Sequence, residues 1–125
     1  MKSVPSQRQK KVSGLIQFEI SDIIRTRMRD PRLGFVTVTE VVVSADLRNA
    51  RVYVSILGNK AEKDKSMDIL HGAAAFIQTE LSSRVKLRYI PVLKFYLDTS
   101  LEYMDKMNHI FTELHENENS NTNLE

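Results

Sequence analysis

The side chains of this sequence whose types and spacing could do chemistry are its arginines and lysines, and that chemistry is the holding of phosphate. Lys10, Lys11, Arg25, Arg27, Arg29 and Arg32 lie in one stretch that closes on Asp30-Pro31-Arg32-Leu33-Gly34. A proline pushes the residue before it out of helical geometry, so a helix carrying the earlier cations should end at Asp30-Pro31. Gly34 then permits the turn that launches a strand at Phe35. Arg25, Arg27, Arg29 and Arg32 are thereby gathered at a helix end and its exit loop, a cationic corner on a rigid frame. Guanidinium groups so placed grip phosphate oxygens; they do not make or break bonds. Lys10, Lys11, Arg25, Arg29 and Arg32 form the first candidate phosphate-binding group. Arg84, Lys86 and Arg88 form a second, at the exit of a later helical region, and Arg48 and Arg51 on a hairpin form a third.

Aromatic rings beside such cations could add base stacking. Tyr53 and Tyr96, flanked by Arg51 and Lys94, are placed to do so, although tyrosines on strands also serve simply to cover packed neighbours. Catalytic chemistry is poorly supplied. His71, His109 and His115 are the only histidines, and the last two stand six apart, off the spacing of a helical metal pair. His71 reads as a partly buried packing residue. The sequence holds no Gly-x-Ser-x-Gly, phosphate-binding glycine loop or His-Glu-x-x-His pattern. Asp46 suits a hairpin turn and Asp98 a helix cap. The reading is of a binding protein with no catalytic residue, no metal and no cofactor.

The charge balance agrees. The formal net charge of +2 hides a segregation: residues 1–32 carry eight Lys/Arg against three Asp/Glu, and residues 98–125 carry one against seven. A basic body with an acidic tail suggests an anionic partner. The tail is either a solubilising end or a weak, salt-sensitive shield over the basic body. Cysteine is absent, which excludes disulfides and thiolate metal sites. No apolar run approaches the roughly 20 residues that span a bilayer, and the first residues lack the apolar centre of a secretory signal. A cytoplasmic protein without membrane attachment is expected.

The elements that must position these cations follow from periodicity. Residues 1–6 read as a flexible start. From about Gln7 to Arg29, Val12, Leu15, Ile16, Ile20, Ile23 and Ile24 recur at three- and four-residue steps, which predicts an amphipathic helix with Lys11, Phe18, Arg25 and Arg29 on its far face. A strand over 35–44 places Val36 and Val38 on one parity and Val41 and Val43 on the other. Either it bulges near Thr39-Glu40 or it is covered on both faces. A second strand over 50–57 alternates Val52, Val54 and Ile56 inward, and the short link makes the pair an antiparallel hairpin. Asn59 and Glu62 have capping-box spacing. The stretch 60–85 predicts two helices joined by a kink at Gly72-Ala73-Ala74-Ala75. A third strand over 89–97 carries Pro91 near its start, Thr99 to Glu102 has capping spacing for a last helix, and 117–125 reads as a disordered acidic, polar tail. One α+β domain over 7–116 results, with a three-stranded sheet and a C-terminal helix.

The order helix-strand-strand-helix-kink-helix-strand is that of a type II KH-like domain. Three stretches sharpen this likeness: Asp-Pro-Arg-Leu-Gly at 30–34 running into Phe-Val-Thr-Val-Thr-Glu-Val, Val-Ser-Ala-Asp-Leu-Arg-Asn-Ala-Arg-Val-Tyr-Val-Ser-Ile-Leu-Gly at 43–58, and Leu-Arg-Tyr-Ile-Pro-Val-Leu-Lys-Phe-Tyr-Leu-Asp-Thr-Ser-Leu at 87–101. Together they resemble the ribosome-binding factor A family over about residues 8–114. The resemblance implies a non-catalytic assembly factor that binds the free or immature small ribosomal subunit and its 16S-type rRNA. It further implies a part in late maturation and rRNA processing, including in the cold, a monomer, and release aided by a ribosome-associated GTPase. Two positions depart from the family pattern. Its usual Ala-x-Gly kink is here Ala73-Ala74-Ala75, and Phe18 stands where relatives carry a polar or basic residue. KH domains commonly clamp nucleic acid with a Gly-x-x-Gly loop, which this chain lacks. Recognition of folded rRNA by shape and phosphate is therefore the expected mode. The alternative is a protein-interaction adaptor that contacts a ribosomal protein or GTPase through the Phe18 face or the last helix.

Overall fold

A computed structural model describes residues 4–100. It runs α1 (Gln7–Arg27), β1 (Val36–Val43), β2 (Asn49–Ile56), α2 (Lys60–Arg84) and β3 (Val92–Leu97). The expected C-terminal helix and the acidic tail lie outside the described residues.

β2 is the middle strand of a sheet ordered β1-β2-β3. It pairs antiparallel with β1 and parallel with β3. Parallel neighbours cannot be joined by a tight turn, so the 25 residues of α2 make the crossover. Both helices cover one face of the sheet. Ile16, Ile20 and Ile23 of α1, Leu70, Ile77 and Leu81 of α2, and Val52 and Val54 of β2 are fully buried there. Each such aliphatic side chain removed from water contributes about 1.5–3 kcal/mol. Leu15, expected inward, is exposed, because the buried stripe of α1 is narrower than its run of apolar residues.

The parity conflict in β1 is resolved by a bulge. The register with β2 slips between Val38 and Glu40, so Val38, Val41 and Val43 are all buried. The extra residue, Thr39, donates its hydroxyl to Asp98 Oδ2 at 2.6 Å. Gln9 and Gln17 of α1 reach the open edge of the same strand, donating to the carbonyls of Val43 at 3.0 Å and Val38 at 3.4 Å.

Two calls on helix ends are revised. Ser6, assigned to the flexible start, is the N-cap of α1 and forms a capping box with Gln9. The helix also stops at Arg27, with Met28 extended, so Arg29 sits in the exit loop and not on the helix face. The Asn59–Glu62 capping box is present as expected. α2 is one unbroken helix where a kink between two helices was expected. A Cβ built on Gly72 would meet nothing within 4 Å, so the glycine serves no close approach. The alanines after it are the strongest helix formers, and the roughly 1 kcal/mol cost of one glycine does not break so long an element. His71 is exposed on that helix rather than partly buried.

The exit loop of α1 is pinned from two sides. Leu33 N–H donates to the Asp30 carbonyl at 3.0 Å, closing a turn with Pro31 at its second position. Gly34 N–H donates to the hydroxyl of Ser66, a fully buried residue of α2, at 2.8 Å. Substituting Ser66→Ala should remove the partner of this part-buried N–H and cost about 0.5–1.5 kcal/mol, measured as a lower urea midpoint with an unchanged slope. An unchanged midpoint would show that the loop is held by other contacts.

Candidate nucleic-acid interface

The fold separates the candidate cations into distinct places. Arg25, Arg29 and Arg32 meet at the exit of α1 and are exposed. Lys10 and Lys11 are exposed on the first turns of the same helix, 14 residues before Arg25, or roughly 21 Å at 1.5 Å per residue. At about 3.6 residues per turn, Lys10 and Lys11 fall on the same side of α1 as Arg25, which makes one rim of exposed cations along the helix.

The corner is electrostatically arranged. Arg32 forks onto Asp30, with Nε and Nη2 at 3.0 and 2.7 Å from the two carboxylate oxygens, and its backbone N–H donates to the same carboxylate at 2.9 Å. These hydrogen bonds lower the Asp30 pKa from 3.8 to about 2. Arg25 pairs with Asp22, and Arg27 lies 3.4 Å from Glu80 of α2, its stem laid across toward the core side. Arg84, a candidate of the second group, is committed inside the fold. Its guanidinium lies 2.5 Å from Asp22 and 3.4 Å from Glu19, and its side chain is only 24% exposed. The Arg84 hydrogen bond is the main reason that Asp22 titrates below the usual carboxylate range. Arg84 thus ties α2 to α1, and the outward cations of its group are Lys86 and Arg88.

An apolar groove of about 490 Å³ opens beside the corner, between the second half of α1 and the start of β1. Phe18 and Phe35 border it and are 71% and 72% exposed. Phe18 was legible as an aromatic among cations; Phe35 read only as the start of a strand.

Arg48 and Arg88, 40 residues apart, come together at the opposite end of the sheet. Parallel pairing sets Asn49 beside Val92, and Val92 N–H donates to the Arg48 carbonyl at 2.8 Å. The residues just before each strand are therefore neighbours. Arg48 Cζ lies 4.5 Å and Arg88 Cζ 5.6 Å from the centre of the Tyr89 ring. Arg8, which drew no notice as sequence, and Tyr89, read only as the start of a strand, line a cavity of about 310 Å³ at this end together with Arg88 and Asp46. The signal was there only as a tyrosine next to Arg88, and its value depends on the strand pairing.

On the face of the sheet that no helix among the described residues covers, Arg51 and Lys94 are in register, as are Tyr53 and Tyr96. The two rings pack at 5.6 Å with a 31° tilt, which fulfils their covering role. Asp46 holds the hairpin turn, accepting from Ser44 Oγ at 2.6 Å and from Arg48 N–H at 3.0 Å. Asp98 accepts from Ser100 N–H at 2.9 Å; the helix that this would cap lies outside the described residues. Among the described residues, no group of three or more His, Cys, Asp or Glu could hold a metal ion, and no helix is long and apolar enough to cross a membrane.

The Asp30 fork makes a direct prediction. Its pKa is depressed in the folded protein, so the bridge is complete above pH 3.8 and is lost as pH falls through about 2. An NMR titration of the Asp30 carboxyl should find its midpoint near 2, and Arg32→Ala should return it toward 3.8. A midpoint unmoved by that substitution would mean that Arg32 is not its partner.

The model of the family described as "Ribosome-binding factor A" matches residues 8–111. A ribosome-binding factor A from Staphylococcus epidermidis is 43% identical over 111 residues, covering 89% of this chain and 96% of that protein. One from Desulfitobacterium hafniense is 46% identical over 96 residues, or 77% of each chain. The solution structure of a Thermotoga maritima protein described as a putative ribosome binding factor A superposes with a TM-score of 0.65 at 34% identity, covering 76% of this chain and 91% of that one. The crystal structure of ribosome-binding factor A from Thermus thermophilus gives 0.64 at 25% identity, covering 71% and 94%. A Thermus thermophilus homology model fitted into the cryo-EM map of a 30S complex gives 0.60 at 25% identity, covering 70% and 91%. The matched span takes in both helices, all three strands and every candidate cation, and the chain belongs to the ribosome-binding factor A family.

Proposed function

We propose that this protein is a non-catalytic assembly factor that binds the free or immature small ribosomal subunit through its 16S-type rRNA and promotes late maturation and rRNA processing, including in the cold. The observation that carries this reading is the rim of exposed cations, Lys10, Lys11, Arg25, Arg29 and Arg32, on a chain matched to ribosome-binding factor A over residues 8–111. The Thermus relative fitted into a 30S complex map supports the same partner. Each phosphate held releases condensed counterions, so affinity accumulates cation by cation and weakens with salt. Lys86, Arg88, Arg48 and Arg51 add contacts on other sides. The protein works in the cytoplasm as a monomer, and a ribosome-associated GTPase aids its release.

The helix-strand-strand-helix-strand order with β2 between an antiparallel and a parallel neighbour supports a type II KH-like topology. Without a Gly-x-x-Gly clamp, the basic rim of this version of the fold holds rRNA by shape and phosphate and reads no sequence there.

A second reading, an adaptor that docks a ribosomal protein or GTPase, draws on the groove between Phe18 and Phe35, whose two exposed rings are apolar surface that phosphate binding does not use. Salt separates the two. Reversing Lys11→Glu, Arg25→Glu and Arg29→Glu together should abolish co-sedimentation with free small subunits while leaving the circular dichroism spectrum unchanged. Binding by the unmodified protein should fall steeply with salt. Co-sedimentation that survives the triple reversal and ignores salt would remove the basic rim from the interface and favour the groove.

A further inference from the structure

We propose that the cavity between the start of α1, the β1–β2 turn and the entry to β3 is a subsite for one unstacked ribonucleotide whose base carries an exocyclic amino group. This rests on the rRNA-binding reading but goes beyond it, since it assigns base recognition to a place away from the basic rim. The cavity measures about 310 Å³, at the small end of ligand sites. It has the three kinds of surface that a nucleotide needs.

The first is a stacking plane. Tyr89 lines the cavity and is 48% exposed. Arg48 lies over its ring at 4.5 Å without lining the cavity itself. The guanidinium fixes the ring through a cation–π contact and thereby lowers the ordering cost of presenting it to a base. The second is a phosphate grip. Arg8 and Arg88 also line the cavity; among the described residues neither enters an ion pair, and Arg88 keeps only a longer contact, 5.6 Å, to the Tyr89 ring. Val12, Leu47 and Leu87 supply apolar wall between these groups.

The third is an acceptor for a base edge. Asp46 lines the cavity, and both of its side-chain hydrogen bonds, from Ser44 Oγ and Arg48 N–H, fall on Oδ1. Among the described residues no hydrogen bond falls on Oδ2, which is open to accept one. The Ser44 bond, then that from Arg48, keeps this carboxyl below its usual pKa, so it is ionised at neutral pH. An ionised carboxylate accepts from the amino group of cytosine, adenine or guanine and finds no exocyclic amino donor on uracil. The hairpin backbone is set for the same purpose: Leu47, at the turn beside Asp46, takes a positive φ of 63° that few non-glycine residues adopt. Such conformations gather at sites where a loop must present its neighbours in one way.

The test uses the full chain with fluorescein-labelled hexamers of rC, rA and rU, read by anisotropy at low salt. The rC and rA hexamers should bind at least about fivefold more tightly than rU. Tyr89→Leu should remove about tenfold in affinity for rC, as loss of a stacked base does, while Tyr89→Phe keeps it. Asp46→Asn, which can still accept at one oxygen, should bring rC and rU closer together. In the unmodified protein, CMP should move the Tyr89 ring proton resonances upfield, a readout that needs no variant. Equal affinities for the three hexamers, or Tyr89→Leu binding as the unmodified protein does, would overturn the subsite. Those results would leave the assembly-factor reading intact so long as the protein still co-sediments with small subunits. Failure of co-sedimentation with the hexamer preference retained would overturn that reading and keep the subsite.

Discussion

The parallel pairing of β3 with the central strand β2 is the constraint on which the rest of the molecule depends. Two parallel neighbours need a long crossover, and α2 is that crossover, laid on the same face as α1. One face of the sheet is therefore filled with isoleucine, leucine and valine, and the other carries Arg51, Tyr53, Lys94 and Tyr96 without a helix among the described residues to cover it. The same pairing brings the residue before β2 next to those before β3. Arg48 and Tyr89 meet for that reason alone. Had β3 paired antiparallel, its entry and that of β2 would lie at opposite ends of the sheet.

The crossover also decides which cations are free. Because α2 returns beside α1, Arg84 reaches Asp22 and Glu19, and Arg27 reaches Glu80. These pairs join two helices that share little else polar, and they withdraw Arg84 from any partner outside. Ser66 on the same helix receives the Gly34 N–H, so α2 fixes the loop that displays Arg29 and Arg32. The cationic corner is thus held in place by an element that presents none of its cations.

Much of this was legible in the sequence because its signals are local. The valine parity in β1 required either a bulge or two covered faces, and the bulge lies at Thr39. The alternation in β2 and the Asn59–Glu62 cap depend on neighbours within a few residues and came out as read. The kink in α2 did not, since glycine among alanines marks only a cost, and whether a helix breaks there depends on what packs against it. Leu15 and Ser6 were misjudged for the related reason that stripe width and chain entry are set by tertiary contacts. The candidate site divides the same way. The Asp30–Gly34 corner is contiguous and could be seen; the commitment of Arg84 and the meeting of Arg8, Arg48, Arg88 and Tyr89 join residues far apart in the chain, and no periodicity reports them.

The cations of this surface fall into two physical kinds, and an assembly factor has use for both. Among the described residues, Lys10, Lys11 and Arg29 enter no ion pair and act through their charge at a distance, which speeds encounter with an anionic surface and needs no particular geometry. Arg25 and Arg32 are held by Asp22 and Asp30, so their planar groups are oriented before any partner arrives. Orientation lowers the rotamer entropy lost on binding, and the neighbouring carboxylate subtracts from the attraction. Toward any anionic partner, such a surface attracts at a distance, presents its fixed guanidiniums in one orientation and pulls less strongly than its count of cations suggests. Orientation and partial neutralisation therefore have one cause: the carboxylates of Asp22 and Asp30 that hold Arg25 and Arg32 in place are the same groups that temper their charge.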